Sequence, residues 1–277
     1  MLDIKNLVTQ FFTEEETVTA VNDIGFSLKR GETIGVVGES GSGKSVTALS
    51  VMRLIDTPPG IIRSGQIIYH SEDGNSVDLL KISEKAMRSF RGNEISMIFQ
   101  EPMTSLNPVY TCGNQVVETI TLHQHVSNTL AKTRTLELFD RVKLPSPTRI
   151  LNAYPHELSG GQKQRVMIAM AISCDPKILI ADEPTTALDV TVQKTILDLM
   201  EELQKERDMG ILFITHDLGV IAELADRVVV MYKGKIVEQG EVLDIFSRPQ
   251  HPYTKGLLAC RPPLNKRLHW LHTISDF

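Results

Sequence analysis

The stretch Gly38-Glu39-Ser40-Gly41-Ser42-Gly43-Lys44-Ser45 constrains this chain more than any other. It fits the pattern G-x-x-x-x-G-K-[ST] at every fixed position. The apolar run Thr33 to Val37 precedes it and the helical pattern Lys44 to Ile55 follows, so the chain must build a strand, a tight glycine turn and a helix in that order. Glycines let the backbone curl until successive N–H groups point into one concavity, and the helix brings its positive dipole end to the same place. Phosphate oxygens suit such a concavity.

At this spacing Lys44 supplies a point charge for β- and γ-phosphates, and Ser45 a hydroxyl for the Mg²⁺ that bridges them. Gly38, Ser40, Gly41, Ser42, Gly43 and Val46 complete the expected cradle for ATP. A glycine-rich turn without a ligand is the plain alternative, and the motifs further along disfavour it.

With 277 residues, 42% of them hydrophobic and 23% charged, the chain is long enough for one large core or for a core carrying a subdomain. Its net charge of -5 lacks the basic footprint of a nucleic-acid binder, so no nucleic-acid partner is expected. Cys112, Cys174 and Cys260 lie far apart and form no C-x-x-C pair, which argues for a reducing cytosol and against a disulfide framework or zinc site. Met1 to Val8 does not read as a signal peptide, and no run reaches the roughly 18 apolar residues of a membrane span. Any membrane role is therefore expected to be peripheral.

Leu2 to Val8 and Ile24 to Leu28 alternate as strands. Between them Phe11 and Phe12 precede the acidic turn Thr13 to Glu16, upstream of the loop, where an adenine can stack. Stacking on an aromatic is worth about 1–3 kcal/mol and needs no hydrogen-bond code. Phe12 is the candidate, with ordinary packing the other reading for either ring. Thr57-Pro58-Pro59-Gly60 breaks the chain after the first helix. Gly65 to Tyr69 and Val77 to Leu80 then flank the turn signal Asp73-Gly74 as a hairpin. Ser83 and Glu84 start a short helix, and the strand Ile95 to Phe99 ends at Gln100.

From Glu101 to Ser173 helical patterns dominate: Gly113 to Leu122, Asn128 to Val142, and Lys163 to Ser173 with Val166, Ile168, Ala169, Met170 and Ile172 as buried positions. Strands then return. Ile178 to Ala181 runs into Asp182-Glu183, and Val190 to Glu206 is an amphipathic helix with Val192, Ile196, Leu199, Met200 and Leu203 on one face. Ile211 to Thr215 is a further strand, and Arg227 to Tyr232 with Lys235 to Gln239 a last hairpin about Lys233-Gly234. Beyond Pro249 the chain is short, Pro-containing and partly basic. Alternating strands and helices imply a largely parallel sheet. The expected fold is α/β: a P-loop NTPase core with a mostly parallel sheet, an antiparallel β subdomain and an inserted α-helical subdomain. Residues 1–100 and 174–248 would form the core with its β subdomain, 101–173 the helical subdomain and 249–277 a C-terminal tail.

A phosphate loop needs an acidic partner at a strand end, since Mg²⁺ takes oxygen ligands and Asp182 can hold its water shell. Glu183 follows directly and can turn towards the γ-phosphate to position or deprotonate a water. Such a carboxylate pair taken alone is as readily a helix-capping turn.

Taken together, Gly38 to Ser45, Gln100, Leu158-Ser159-Gly160-Gly161-Gln162, Ile178 to Glu183, Ala187-Leu188-Asp189 and His216 resemble, in order and relative placement, the ATP-binding cassette of ABC transporters. The resemblance covers nearly the whole chain. It implies that Gln100 touches Mg²⁺ and the attacking water, so that Ser45, Gln100 and Asp182 form the metal set, and that His216 contacts the γ-phosphate. Glu183, His216, Gln100 and Lys44 are the implied catalytic residues. Ser159, Gly160, Gly161 and Gln162 resemble the signature that binds the γ-phosphate of a second subunit's nucleotide, with Asp189 at the dimer interface. The implied partner is thus a second cassette, identical or different.

Glu101 to Pro108, Tyr154-Pro155-His156-Glu157 and His251-Pro252-Tyr253-Thr254 resemble the ATPases of dipeptide, oligopeptide and nickel importers. That resemblance implies membrane permease subunits as direct partners, an extracytoplasmic solute-binding protein as an indirect one, and a peripheral place on the cytoplasmic face of the cell inner membrane. Peptides come first as the solute and nickel second; a soluble cassette acting on ribosomes or DNA is the runner-up of another class. Members of that subfamily often continue into a cysteine-rich tail, whereas only Cys260 stands here, and Arg261 to Phe277 resembles a linker, as in one half of a longer tandem ATPase. His123 and His125 do not share a helix face and read as solvated surface, while Met97, Met167, Met170 and Met231 read as core filling.

Overall fold

The computed structural model describes residues 1–100, 105–186 and 188–259. Glu101 to Thr104, Ala187, Cys260 and Arg261 to Phe277, which carry part of the subfamily resemblance and the tail reading, lie outside the described residues. In chain order the strands are β1 Leu2–Phe12, β2 Thr17–Leu28, β3 Thr33–Val37, β4 Gly60–His70, β5 Ser76–Asp78, β6 Ile95–Ile98, β7 Ile178–Asp182, β8 Gly210–Ile214, β9 Arg227–Tyr232 and β10 Lys235–Glu241. The chain forms two compact units: Met1–Lys29, Thr33–Lys81 and Leu212 onward in one, Arg30–Glu32 and Ile82–Ile211 in the other. Among the described residues no helix is long and apolar enough to cross a membrane.

In the first unit β2, β1, β4 and β5 form an antiparallel sheet in that order. The β1–β2 hairpin runs from Leu2 opposite Leu28 to Phe12 opposite Thr17, longer than alternation alone predicts. The reason is a register shift between Ile4 and Leu7, where Asn6 takes a φ of 49°: Leu2 and Ile4 are buried, the phase slips, and Leu7 returns inward. β3 is buried at all five residues and pairs in parallel with β9, Ile34 to Val37 against Arg227 to Val230. A strand buried on both faces needs a continuous apolar run, which Thr33 to Val37 supplies. β9 turns through Lys233-Gly234 into antiparallel β10. The helix after the glycine loop spans Lys44–Val51, shorter than expected, because Arg53 at φ 51° ends it. Helices Leu218–Leu224, Val242–Ser247 and Pro252–Ala259 were not anticipated. Pro252 opens the last of them, where its missing N–H costs nothing.

In the second unit β6 and β7 pair in parallel, Ile95 to Ile98 against Ile178 to Ala181, every one of these residues buried. Helices Cys112–Gln124, Asn128–Arg141, Pro147–Asn152 and Gly160–Ile172 pack together, and the last also lies against β6. That helix is buried on nearly every side, at Val166, Met167, Ile168, Ala169 and Ile172 among others, which is why its sequence shows no clean polar face. Met170 is the exception to the expected core set, being part-exposed, whereas Met97, Met167 and Met231 are buried as expected. The helix Val190–Arg207 buries Ile196, Leu199, Met200 and Leu203, but Val192 sits in a first turn that projects past the core beside exposed Val190. His123 corrects the surface reading: its ring packs on Gly92, and burial, then the neighbouring His125, holds it below the ordinary histidine range. Cys112 and Cys174 are buried free thiols, burial pushing Cys112 up to about 11.

Candidate nucleotide site

The first unit carries the glycine loop. Gly38 and Gly43 have φ of 153° and 99°, and a Cβ on either would collide, Gly38 with the Met231 carbonyl oxygen and Gly43 with that of Ala20 in β2. The loop is thus pressed from behind against β9 and β2, and Ser42 O accepts the Gly234 N–H at 3.0 Å. Its outer residues Glu39, Ser40 and Gly41 are exposed, so the cradle backs onto protein and opens outward. Gly43→Ala should therefore lose ATP affinity and several degrees of thermal stability together, since it adds both a clash and a strained φ. Calorimetric binding and unfolding scans check this, and a variant matching wild type in both would contradict it.

Lys44 is 7% exposed and its ammonium donates to Gly38 O at 2.9 Å and Glu39 O at 2.8 Å. The positive charge lies over the loop's own carbonyls. Ser45 and Val46 follow, both part-exposed at the start of the helix. Phe12 is half exposed at the turn end of the β1–β2 hairpin, the hairpin whose second strand backs Gly43, while Phe11 packs onto Gly60. The structure thus separates the two rings. His216 is exposed, next to Thr215, whose N–H donates to Val36 O at 3.3 Å, so it emerges beside the end of β3 that leads into the loop. Asp217 then caps the following helix by accepting the Gly219 N–H at 2.7 Å.

The second unit carries the acidic strand end. Asp182 closes β7 and is 3% exposed. Glu183 breaks from the strand with φ 47°, a left-handed conformation that costs a non-glycine residue energy and recurs at functional sites. Its Oε2 accepts from Gln100 Nε2 at 3.2 Å and from Thr186 Oγ1 at 3.1 Å, which fixes the carboxylate plane. Ser159 and Gln162 form a capping box: Ser159 Oγ accepts the Gln162 N–H at 3.3 Å and Gln162 Oε1 the Ser159 N–H at 3.0 Å. The helix accordingly starts at Gly160 rather than Lys163, as the S-x-x-Q spacing allows. Gly160 is open, with nothing among the described residues within 4 Å of where its Cβ would be. Asp189 caps its own helix, accepting the Val192 N–H at 3.0 Å.

Two residues here escaped sequence reasoning. Thr186 holds Glu183, and buried Gln164, on the signature helix, donates to Pro184 O at 2.7 Å and so ties that helix to the Glu183 turn. The capping-box spacing was visible in sequence; these two bonds were not.

For nucleotide, the fit rests on the glycine loop, which is pressed against β9 and β2 at Gly38 and Gly43, where a Cβ would collide, and which leaves Glu39 to Gly41 exposed on its outer side. For Mg²⁺ it rests on donor chemistry: Ser45 in the first unit, and Gln100 and Asp182 in the second, each offer an oxygen ligand, the kind Mg²⁺ selects. Among the described residues no three His, Cys, Asp or Glu gather as a metal cage, and a cation that takes most of its ligands from phosphates and water needs none.

A glycine loop between strand and helix, with an acidic strand end elsewhere in the chain, defines an α/β nucleoside-triphosphate-binding protein. The ABC transporter family model matches residues 21–186, and the model for the C-terminal region of oligopeptide/dipeptide transporters matches residues 237–276. A Brucella ovis protein named as a peptide import ATP-binding protein is 56% identical over 264 residues, covering 95% of this chain and 78% of that protein. The glutathione import ATP-binding protein of Escherichia coli O157:H7 is 53% identical over 264 residues, and the match spans 42% of its length. Among solved structures, a dimeric ATP-binding cassette in a post-hydrolysis state with ADP and phosphate superposes with a TM-score of 0.78 at 27% identity, over 87% of this chain and 99% of that one. This chain belongs to the ABC transporter family, as one of its ATP-binding subunits, and it is an ATPase.

Proposed function

We propose that ATP hydrolysis by this subunit powers the uptake of dipeptides or oligopeptides. The observation that carries the reading is the match of residues 237–276 to the C-terminal region of oligopeptide/dipeptide transporters, joined to the ATP-binding cassette. In this reading the triphosphate lies on Gly38 to Val46 and the adenine stacks on Phe12. Lys44 leaves the Gly38 and Glu39 carbonyls for the β- and γ-phosphates. Glu183, held by Gln100 and Thr186, takes the proton of the attacking water, and His216 steadies the γ-phosphate. Ser45, Asp182 and Gln100 would hold Mg²⁺, which supplies neutralisation of phosphate charge.

Ser159 to Gln162 and Asp189 of a second cassette complete each site, and residues 101–173 dock the membrane permease subunits. The chain is then peripheral to the cytoplasmic face of the inner membrane, and a solute-binding protein delivers the peptide from outside. Reconstitution with the cognate permease subunits and binding protein in vesicles tests this. Peptides should stimulate ATP hydrolysis several-fold; stimulation by Ni²⁺ and not by peptides would overturn the peptide reading.

A further inference from the structure

The phosphate loop is gripped by a residue outside every nucleotide motif. The Glu39 N–H donates to Tyr253 Oη at 2.9 Å, so that backbone donor is spent on a side chain rather than on a phosphate. Tyr253 is 6% exposed, and its ring lies on that of Tyr232 with centroids 4.3 Å apart. Tyr232 ends β9, immediately before the turn whose Gly234 N–H holds Ser42 O. The helix bearing Tyr253 is itself anchored to β10. Glu238 accepts the N–H groups of Gln250 at 2.7 Å and His251 at 3.0 Å, and His251 Nδ1 accepts the Tyr253 N–H at 3.1 Å.

We propose that Tyr253 is a positioning residue for ATP, and that His251-Pro252-Tyr253-Thr254 is a strut that fixes the second residue of the phosphate loop. This deepens the nucleotide-binding reading above and rests on it. The physical case concerns what holds Glu39 when ligand arrives. Lys44 now grips the Glu39 carbonyl, and binding of phosphate draws that ammonium away. The bond that the N–H of the same residue donates to Tyr253 Oη is the tether that stays. Holding the loop in its binding shape removes the ordering cost from each binding event, which appears as affinity and not as chemistry.

Tyr253→Phe removes only the oxygen. Glu39 is exposed, so water can satisfy its N–H, and the ring stack on Tyr232 survives. On the 277-residue chain, the Kd for a fluorescent ATP analogue and the KM for MgATP should rise about three- to tenfold, the worth of one hydrogen bond. The kcat at saturating ATP and the unfolding temperature should stay near wild type. Equal affinity in wild type and variant would overturn the strut, as would a lowered unfolding temperature with unchanged affinity, since that is a purely structural role. Should Tyr253→Phe fail to fold, Glu238→Gln decides: it loosens the anchor of the strut two contacts away and should raise the Kd in the same direction, unchanged affinity again overturning the proposal. A wild-type chain that binds no ATP analogue would instead overturn the nucleotide reading itself, and the strut with it.

Discussion

Glu183→Gln should lower ATP turnover by about 10²–10⁴-fold while leaving ATP affinity within a small factor of wild type, because in the proposed mechanism it removes the general base and little else. Glutamine has the shape of the glutamate it replaces. Its amide oxygen can still accept from Gln100 Nε2 and Thr186 Oγ1, the two donors now on Oε2, so the left-handed turn at Glu183 stays anchored. The cost therefore falls on proton abstraction from water and not on nucleotide binding. Phosphate release at saturating ATP, set beside equilibrium binding of ATP, separates the two. A variant hydrolysing within a few-fold of wild type would remove Glu183 from the catalytic role. One that lost ATP binding would mean the turn had collapsed instead.

How much of this was legible in the residues differs by the range of the forces involved. The glycine loop was readable because its pattern is local: strand, loop and helix are contiguous, and Lys44 reaches Gly38 O within the same loop. The acidic strand end was equally plain, as the apolar run Ile178 to Ala181 leads into it. The strand boundaries of β1 were not, since alternation stops at the slip around Asn6 and sequence gives no sign that the strand resumes in the other phase. Met170 was misplaced because the helix it sits on is buried nearly all round, and no periodicity marks which side retains solvent. The Gln164–Pro184 and Glu39–Tyr253 bonds join residues far apart in the chain, 214 positions in the second case, and no local pattern can report them. His251 to Thr254 stood out as a subfamily mark well before its physical role could be read.

Gly160→Asp should abolish turnover without weakening the folded chain, and it tests whether the signature acts on its own nucleotide or on a partner's. Among the described residues nothing lies within 4 Å of the position its Cβ would take, so the fold has room. Gly160 is also the first residue of the helix Gly160–Ile172, where a carboxylate favours the positive dipole end by about 0.3–1 kcal/mol and loss of glycine lowers the entropy of the unfolded chain. Unfolding temperature should hold or rise. The same carboxylate placed against a γ-phosphate is repelled: two unit charges 4 Å apart at an effective dielectric of 20 differ by roughly 4 kcal/mol, about a thousandfold in rate. If the signature of one chain completes the site of another, a mixture of Gly160→Asp and Glu183→Gln chains regains activity that neither has alone. In the mixed pair one site joins the intact Glu183 of the first chain to the intact signature of the second. Absence of recovery at concentrations where the chain pairs would place the signature's action within its own chain and undo the shared-site arrangement.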